Sequence, residues 1–241
     1  KRNTLGGNSL RREFDGDPSL LVGFDEGAWW VQDAAAALPA QLLNVKAGQT
    51  VIDLCAAPGG KTAQLITAGG TVTAIDNNRK RLDRLRRNLE RLQLSATLVL
   101  SDGKNYRPNA PVDAVLVDAP CSATGTIRRR PDILNKRDIE DISALQKLQW
   151  ELATNALGWL RAGGRMVYAT CSLQPEEGED ILGAIIDEAD GQYIIDPITP
   201  GQAGIFARSI THNGCLRILP NDYGNIGGVD GFFIARLLSM G

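Results

Sequence analysis

The stretch Thr50-Val51-Ile52-Asp53-Leu54-Cys55-Ala56-Ala57-Pro58-Gly59-Gly60-Lys61-Thr62 passes from an apolar run, through a turn of small residues, into helix-forming sequence. The run at 50–54 reads as a buried strand and 61–67 as a helix. A Gly-rich turn that opens a helix lets a ligand reach the backbone and offers it free N–H groups. Three ligand classes suit such a turn. A phosphate-binding loop requires Gly-x-x-x-x-Gly-Lys-Thr; Gly60-Lys61-Thr62 meets the end of that pattern, but Cys55 stands where its first glycine belongs. A dinucleotide fingerprint requires Gly-x-Gly-x-x-Gly, which Pro58-Gly59-Gly60 breaks. The third class is a nucleoside held without a pyrophosphate.

Outward from this unit the chain alternates. Strands are expected at 71–75, 96–100, 114–117 and 165–169. Helices are expected at 79–92, where Leu82, Leu85, Leu89 and Leu92 make an apolar stripe, at 139–160, and at 176–189 behind Pro175 and an acidic first turn. Then the rhythm changes: 193–196, 215–219 and 232–237 read as strands without helices between them. The expectation is an α/β fold, a mostly parallel doubly wound sheet with an antiparallel edge hairpin. Residues 1–44 are expected to form an N-terminal extension or cap, including a helix at 33–43 that Pro39 would kink, and 45–241 the main domain.

Acids recur at strand ends. Asp76 ends the second strand, where a carboxylate can take ribose hydroxyls. Asp102 follows the third, within reach of an adenine amino group, and Asp118 ends the fourth. One such Asp is ordinarily a cap or turn residue; the ordered set favours an acidic cleft for a sulfonium-bearing nucleoside, S-adenosylmethionine. Two of the four cysteines also sit at strand ends, Cys121 in Asp118-Ala119-Pro120-Cys121 and Cys171 in Thr170-Cys171-Ser172. Their spacing matches no metal site, and the pair points to covalent catalysis. Cys55 and Cys215 read as small packing residues.

Over 241 residues the net charge is −2, which argues against non-specific coating of nucleic acid. Basic residues still cluster. Those at 79–91 read as the solvated side of a helix, whereas Arg128, Arg129 and Arg130 follow the Cys121 loop and could grip phosphates; Lys136 and Arg137 come soon after. No apolar run is long enough to span a membrane. With no signal peptide read, reduced thiols and a cytoplasmic location are expected. The sole histidine, His212, lies in a Gly-flanked loop and reads as a surface residue.

The motifs at 53–62, 118–125, 129–132 (Arg-Arg-Pro-Asp) and 168–172, with 27–33 (Gly-Ala-Trp-Trp-Val-Gln-Asp) and 230–233 flanking them, resemble the Sun/RsmB family of RNA cytosine-5 methyltransferases, in its bacterial small-subunit ribosomal RNA branch. The resemblance spans roughly residues 23–238. It implies a Rossmann-like class I methyltransferase fold, S-adenosylmethionine as cofactor, and an RNA cytosine, in ribosomal RNA, as substrate. By the same resemblance Cys55, Ala56, Ala57, Pro58, Gly59, Gly60, Lys61, Asp76, Asp102 and Asp118 would line the cofactor pocket, with Arg81 bracing it. Cys171 would be the nucleophile, Cys121 the cysteine that releases product, and Asp118 a partner of the cytosine edge. Arg128, Arg129 and Arg130 would contact RNA, Arg130 standing where bacterial relatives often carry His. Full-length members also have an N-terminal helical RNA-binding domain, which this sequence does not include. Nothing in the resemblance calls for a metal or a membrane.

Overall fold

In a computed structural model, residues 2–4, 9–12, 14–135 and 139–241 are described; Lys136 and Arg137 lie outside them. The N-terminal segment pairs β1 (Arg2–Thr4) with β2 (Leu10–Arg12) in a small antiparallel sheet. The main body then runs α1 (Leu38–Leu43), β3 (Thr50–Leu54), α2 (Gly60–Thr67), β4 (Thr71–Asp76), α3 (Arg79–Arg91), β5 (Thr97–Leu100), β6 (Val112–Asp118), α4 (Ile139–Leu157), β7 (Leu160–Thr170), α5 (Glu179–Glu188), β8 (Tyr193–Ile195), α6 (Pro200–Ala203), β9 (Leu216–Ile218) and β10 (Phe232–Ser239).

These strands form one eight-stranded sheet in the order β5-β4-β3-β6-β7-β10-β8, with β9 also on β10. Pairing is parallel from β5 to β7 and antiparallel around β10. The chain winds outward from β3 through β4 to β5, then restarts at β6 and winds the other way. The reversal lies between β3 and β6, and the crevice above such a point is where open α/β sheets take ligands.

Side-chain alternation sets the two faces. On β6, Ala114 and Leu116 join Leu38, Leu42, Val51 and Leu65 beneath α1 and α2, while Val115 and Val117 join Leu152, Ala156, Ile181 and Ile185 beneath α4 and α5. On α3 the buried residues are Leu82, Leu85 and Leu89, and its Arg and Lys residues at 79–81, 84, 86 and 87 are exposed. Both halves of that helix follow the expected stripe.

Two expectations need correction. Pro39 does not kink a helix over 33–43; it sits in the first turn of the shorter α1, where its missing N–H costs nothing. The helix expected at 176–189 is split: Pro175–Glu177 is a separate 3₁₀ turn and Gly178 (φ −131°, ψ −87°) breaks the path into α5. A Cβ at Gly178 would lie 2.5 Å from Arg217 Nη2 and 2.8 Å from Phe233 Cγ, so close packing selects glycine there. The antiparallel pair expected at the sheet edge is present: β8 and β9 pair antiparallel with β10, which itself lies between them and β7. Seven of the eight residues of β10 are buried, and such a strand must be covered on both sides.

Candidate active site

Three loops meet above the reversal point. The first leaves β3 through Cys55, held at φ 62°, and reaches Gly59 at φ 104°, which caps α2. A Cβ at Gly59 would sit 3.1 Å from Leu85 Cγ, so α3 can lie close under the turn. The Ala57 N–H donates to Asp76 Oδ2 at 3.3 Å. The Arg81 guanidinium is 2.9 Å from the same oxygen and 3.5 Å from the Ala57 carbonyl, bridging loop and acid. Asp76 is almost fully buried, and its Oδ1 accepts from the Asn78 N–H. Asp102 is half-exposed after β5 and accepts from the Lys104 N–H.

The second and third loops follow β6 and β7 and bring the two strand-end thiols together: Cys121 Sγ lies 3.5 Å from Cys171 Sγ. Hydrogen bonding to the Cys171 sulfur, then burial, push the Cys121 thiol well above its ordinary range, helped by the Glu177 carboxylate. The two sulfurs are within hydrogen-bonding distance of each other, and either can be the donor. Across the crevice, Lys61 Nζ is 2.8 Å from Asp118 Oδ2 and stands over the Phe232 ring. Burial alone would lower the Lys61 ammonium; the charges of Asp118, Asp53 and Cys171 more than reverse this, and it is held raised and charged.

Beneath this layer, Asp53 is fully buried and its Oδ2 accepts from Thr62 Oγ1 at 2.6 Å. Its Oδ1 has no partner among the described residues. Burial, offset in part by Thr62, pushes its carboxyl up to about 7. Burial likewise drives Cys55 and Cys215 up to about 12, so neither is a ready nucleophile.

The arginines divide. Arg129 grips the buried Asp230 with Nε at 2.9 and 3.0 Å and Nη2 at 2.6 Å, and Arg128 stands 3.9 Å from both Asp230 and Asp33. Arg129 is thus committed within the chain. Arg130 is exposed beside them. His212 is exposed, away from this chemistry. The residues that sequence reasoning missed lie under the thiols. Glu177, wholly buried, accepts from the Ser122 N–H at 2.8 Å, the Ser122 hydroxyl at 2.5 Å and Gln149 Nε2 at 2.9 Å. Gln149 also donates to the Pro120 carbonyl at 2.8 Å. The only sequence signal for Glu177 was an acid near a helix start, which ordinarily means a solvated dipole contact.

A phosphate-binding loop needs its lysine on a phosphate; here Lys61 is spent on Asp118. The donor set instead fits a nucleoside: the buried carboxylate Asp76 keeps lone-pair capacity beyond its three bonds, and acids stand at the ends of β4 and β6 and just after β5 around a glycine turn. Among the described residues there is no cluster of three metal-ligating side chains, and no helix long and apolar enough to cross a membrane.

The model of the 16S rRNA methyltransferase RsmB/F family matches residues 40–238. The ribosomal RNA small subunit methyltransferase B of Pseudomonas syringae pv. tomato is 42% identical over 93% of this chain and 50% of its own length, and that of Vibrio cholerae 40% over 92% and 48%. This chain thus spans about half the length of the curated relatives it matches. Among solved structures, NSun6 from Pyrococcus horikoshii with SFG superposes with a TM-score of 0.79 at 29% identity, over 94% of this chain and 57% of that one. A methyltransferase homolog from the same organism gives 0.77 at 31%, over 95% and 74%. The fold is the Rossmann-like fold of these methyltransferases.

Proposed function

We propose, from the premise that this chain belongs to the RsmB/F family of 16S rRNA methyltransferases, that it transfers a methyl group from S-adenosylmethionine to C5 of a cytosine in small-subunit ribosomal RNA through a covalent cysteine adduct. The observation that carries the reading is the 3.5 Å approach of the Cys121 and Cys171 sulfurs beside the Lys61–Asp118 pair.

The cofactor supplies an electrophilic methyl group on a sulfonium. Asp76 would hold its ribose hydroxyls, Asp102 its adenine amino group, and the loop from Cys55 to Lys61 its flank, with Arg81 keeping loop and acid together. Residues 45–241 would carry this chemistry, with 1–44 as a cap over it: Arg91 of α3 donates to the carbonyls of Phe24 and Trp29.

Cytosine C5 is a weak nucleophile until C6 bears an added sulfur. Cys171 supplies that sulfur, attacking C6 as the thiolate. Asp118 would accept from the cytosine amino group, and N3 takes a proton from solvent as the adduct forms. Once Cys171 is a neutral thioether, the main cause of the raised Cys121 thiol is gone. Cys121 can then lose its proton to solvent, and its thiolate removes the C5 proton. The C5–H electrons become the C5–C6 double bond, and the Cys171–C6 bond breaks with its electrons leaving on sulfur, so that the Cys171 thiolate is restored. The target base must leave its stack, at a cost of a few kcal/mol. Arg130 and Arg128 would hold flanking phosphates. Such an enzyme works in the cytoplasm, where ribosomal RNA is made.

The test uses unmodified 16S rRNA and labelled S-adenosylmethionine. Cys171→Ala should abolish both 5-methylcytosine and any adduct. Cys121→Ala should methylate but leave a denaturant-resistant, cofactor-dependent protein–RNA complex. An adduct in Cys171→Ala and none in Cys121→Ala would reverse the roles; methylation of another position would overturn the reading.

A further inference from the structure

We propose that Glu177 is the positioning residue of the release step: its buried carboxylate holds the Cys121–Ser122 turn against Cys171 and sets the charge that Cys121 faces. The proposal deepens the cysteine roles given above and rests on them. Glu177 has no exposed surface, and its bonding partners among the described residues, Ser122 and Gln149, are neutral. A buried carboxylate without a cation is costly. The turn alone does not require it, because a neutral amide could accept from the Ser122 N–H equally well. The charge therefore calls for a reason beyond packing, and the group it faces is Cys121.

The surroundings of Cys121 are few. Cys171 faces it from the end of β7, Glu177 from the 3₁₀ turn before α5, and the Ala123 N–H from its own loop. Tyr168 of β7 donates its hydroxyl to the Glu177 carbonyl at 2.9 Å, fixing that turn against the sheet. Lys61 and Arg129 bear on Cys171. With Cys171 bound to the base as a thioether, the Glu177 carboxylate still acts on Cys121. It keeps that thiolate a stronger base than an ordinary thiolate, suited to removing a carbon-bound proton. Gln149 completes the brace by tying the Pro120 carbonyl to the same carboxylate.

The experiment reads Cys121 without needing turnover. In a Cys171→Ala background, the rate of Cys121 alkylation by iodoacetamide is followed against pH by peptide mass spectrometry. Glu177→Gln should move the midpoint down by about one pH unit, the size expected for removing one charge a few ångströms away in a protein interior. Glu177→Asp keeps the charge and should keep the midpoint. With Cys171 intact, the pH midpoint for decay of the RNA adduct should fall in Glu177→Gln in the same direction. An unchanged midpoint in Glu177→Gln, or equal shifts in both variants, overturns the proposal. Thermal melting confirms that each variant is folded, and Glu177→Asp keeps the comparison decisive should Glu177→Gln be unstable. The alkylation arm fails only if Glu177 does not act on Cys121. The cysteine roles fail separately, if Cys121→Ala forms no cofactor-dependent adduct.

Discussion

Gly125 donates its backbone N–H to the carbonyl of Cys171 at 2.9 Å, so the loop that carries one thiol is hydrogen-bonded to the residue that carries the other. Gly125 in turn accepts from the Gly231 N–H at 2.8 Å. Three segments far apart in sequence thus meet as bare backbone. The thiol spacing depends on this crossing.

A side chain at Gly125 should push the crossing apart. Its Cβ would lie 2.7 Å from the Gly231 carbonyl carbon and 2.9 Å from the Cys171 oxygen, and backbone cannot swing away as a side chain can. Gly125→Ala should destabilise the protein by about 1–3 kcal/mol, as overpacked sites do. Denaturant unfolding measures this, and an unchanged midpoint would mean that the loops separate freely.

Asp76→Ala should weaken S-adenosylmethionine binding about tenfold or more, the size of a lost pair of hydrogen bonds to a charged group, and leave RNA affinity nearly unchanged. Calorimetry with cofactor and with RNA separates the two. Equal loss of both would move Asp76 from ligand binding to support of the Cys55–Gly59 loop through Ala57 and Arg81.

Arg129 and Arg130 should behave differently although they are adjacent. Arg129→Ala strands the buried Asp230 carboxylate and should cost about 1–2 kcal/mol of stability, discounted because the guanidinium is half-exposed. Arg130→Ala should leave the melting temperature in place and lower the salt slope of RNA binding by about one unit, as loss of one phosphate contact does. Identical behaviour of the two variants would contradict the division.

Asp53 should make stability depend on pH. Its folded carboxyl titrates near 7, above the ordinary value of 3.8, so the folded state holds a proton that the unfolded chain has already released. That contribution is complete below the unfolded value and is lost as pH rises through 7. Between pH 5 and 8 the protein should lose about 2–3 kcal/mol relative to Asp53→Asn, whose amide stays neutral throughout. Parallel stability curves for the two proteins would show that Asp53 is ionised in the fold.

The architecture was legible because its signals are local. The apolar runs at 50–54 and 114–117, the Leu stripe of α3 and the glycine turn at 59–60 each report on their own few residues, and strand-end acids follow once the strands are placed. Where expectation and structure parted, a distant contact had intervened. Gly178 breaks a helix because Arg217 and Phe233 pass beside it.

By itself the sequence determined an alternating α/β sheet, a cofactor-type turn after its first strand and two reactive-looking thiols at strand ends. Only the tertiary structure decided that those thiols touch, that Lys61 faces Asp118 across 57 residues, that Arg129 serves Asp230, and that Glu177 turns inward beneath Cys121. The reason is physical. Periodicity encodes which face of an element is buried, but the protonation of a thiol or the partner of a guanidinium depends on which charges lie within a few ångströms, and folding sets those distances.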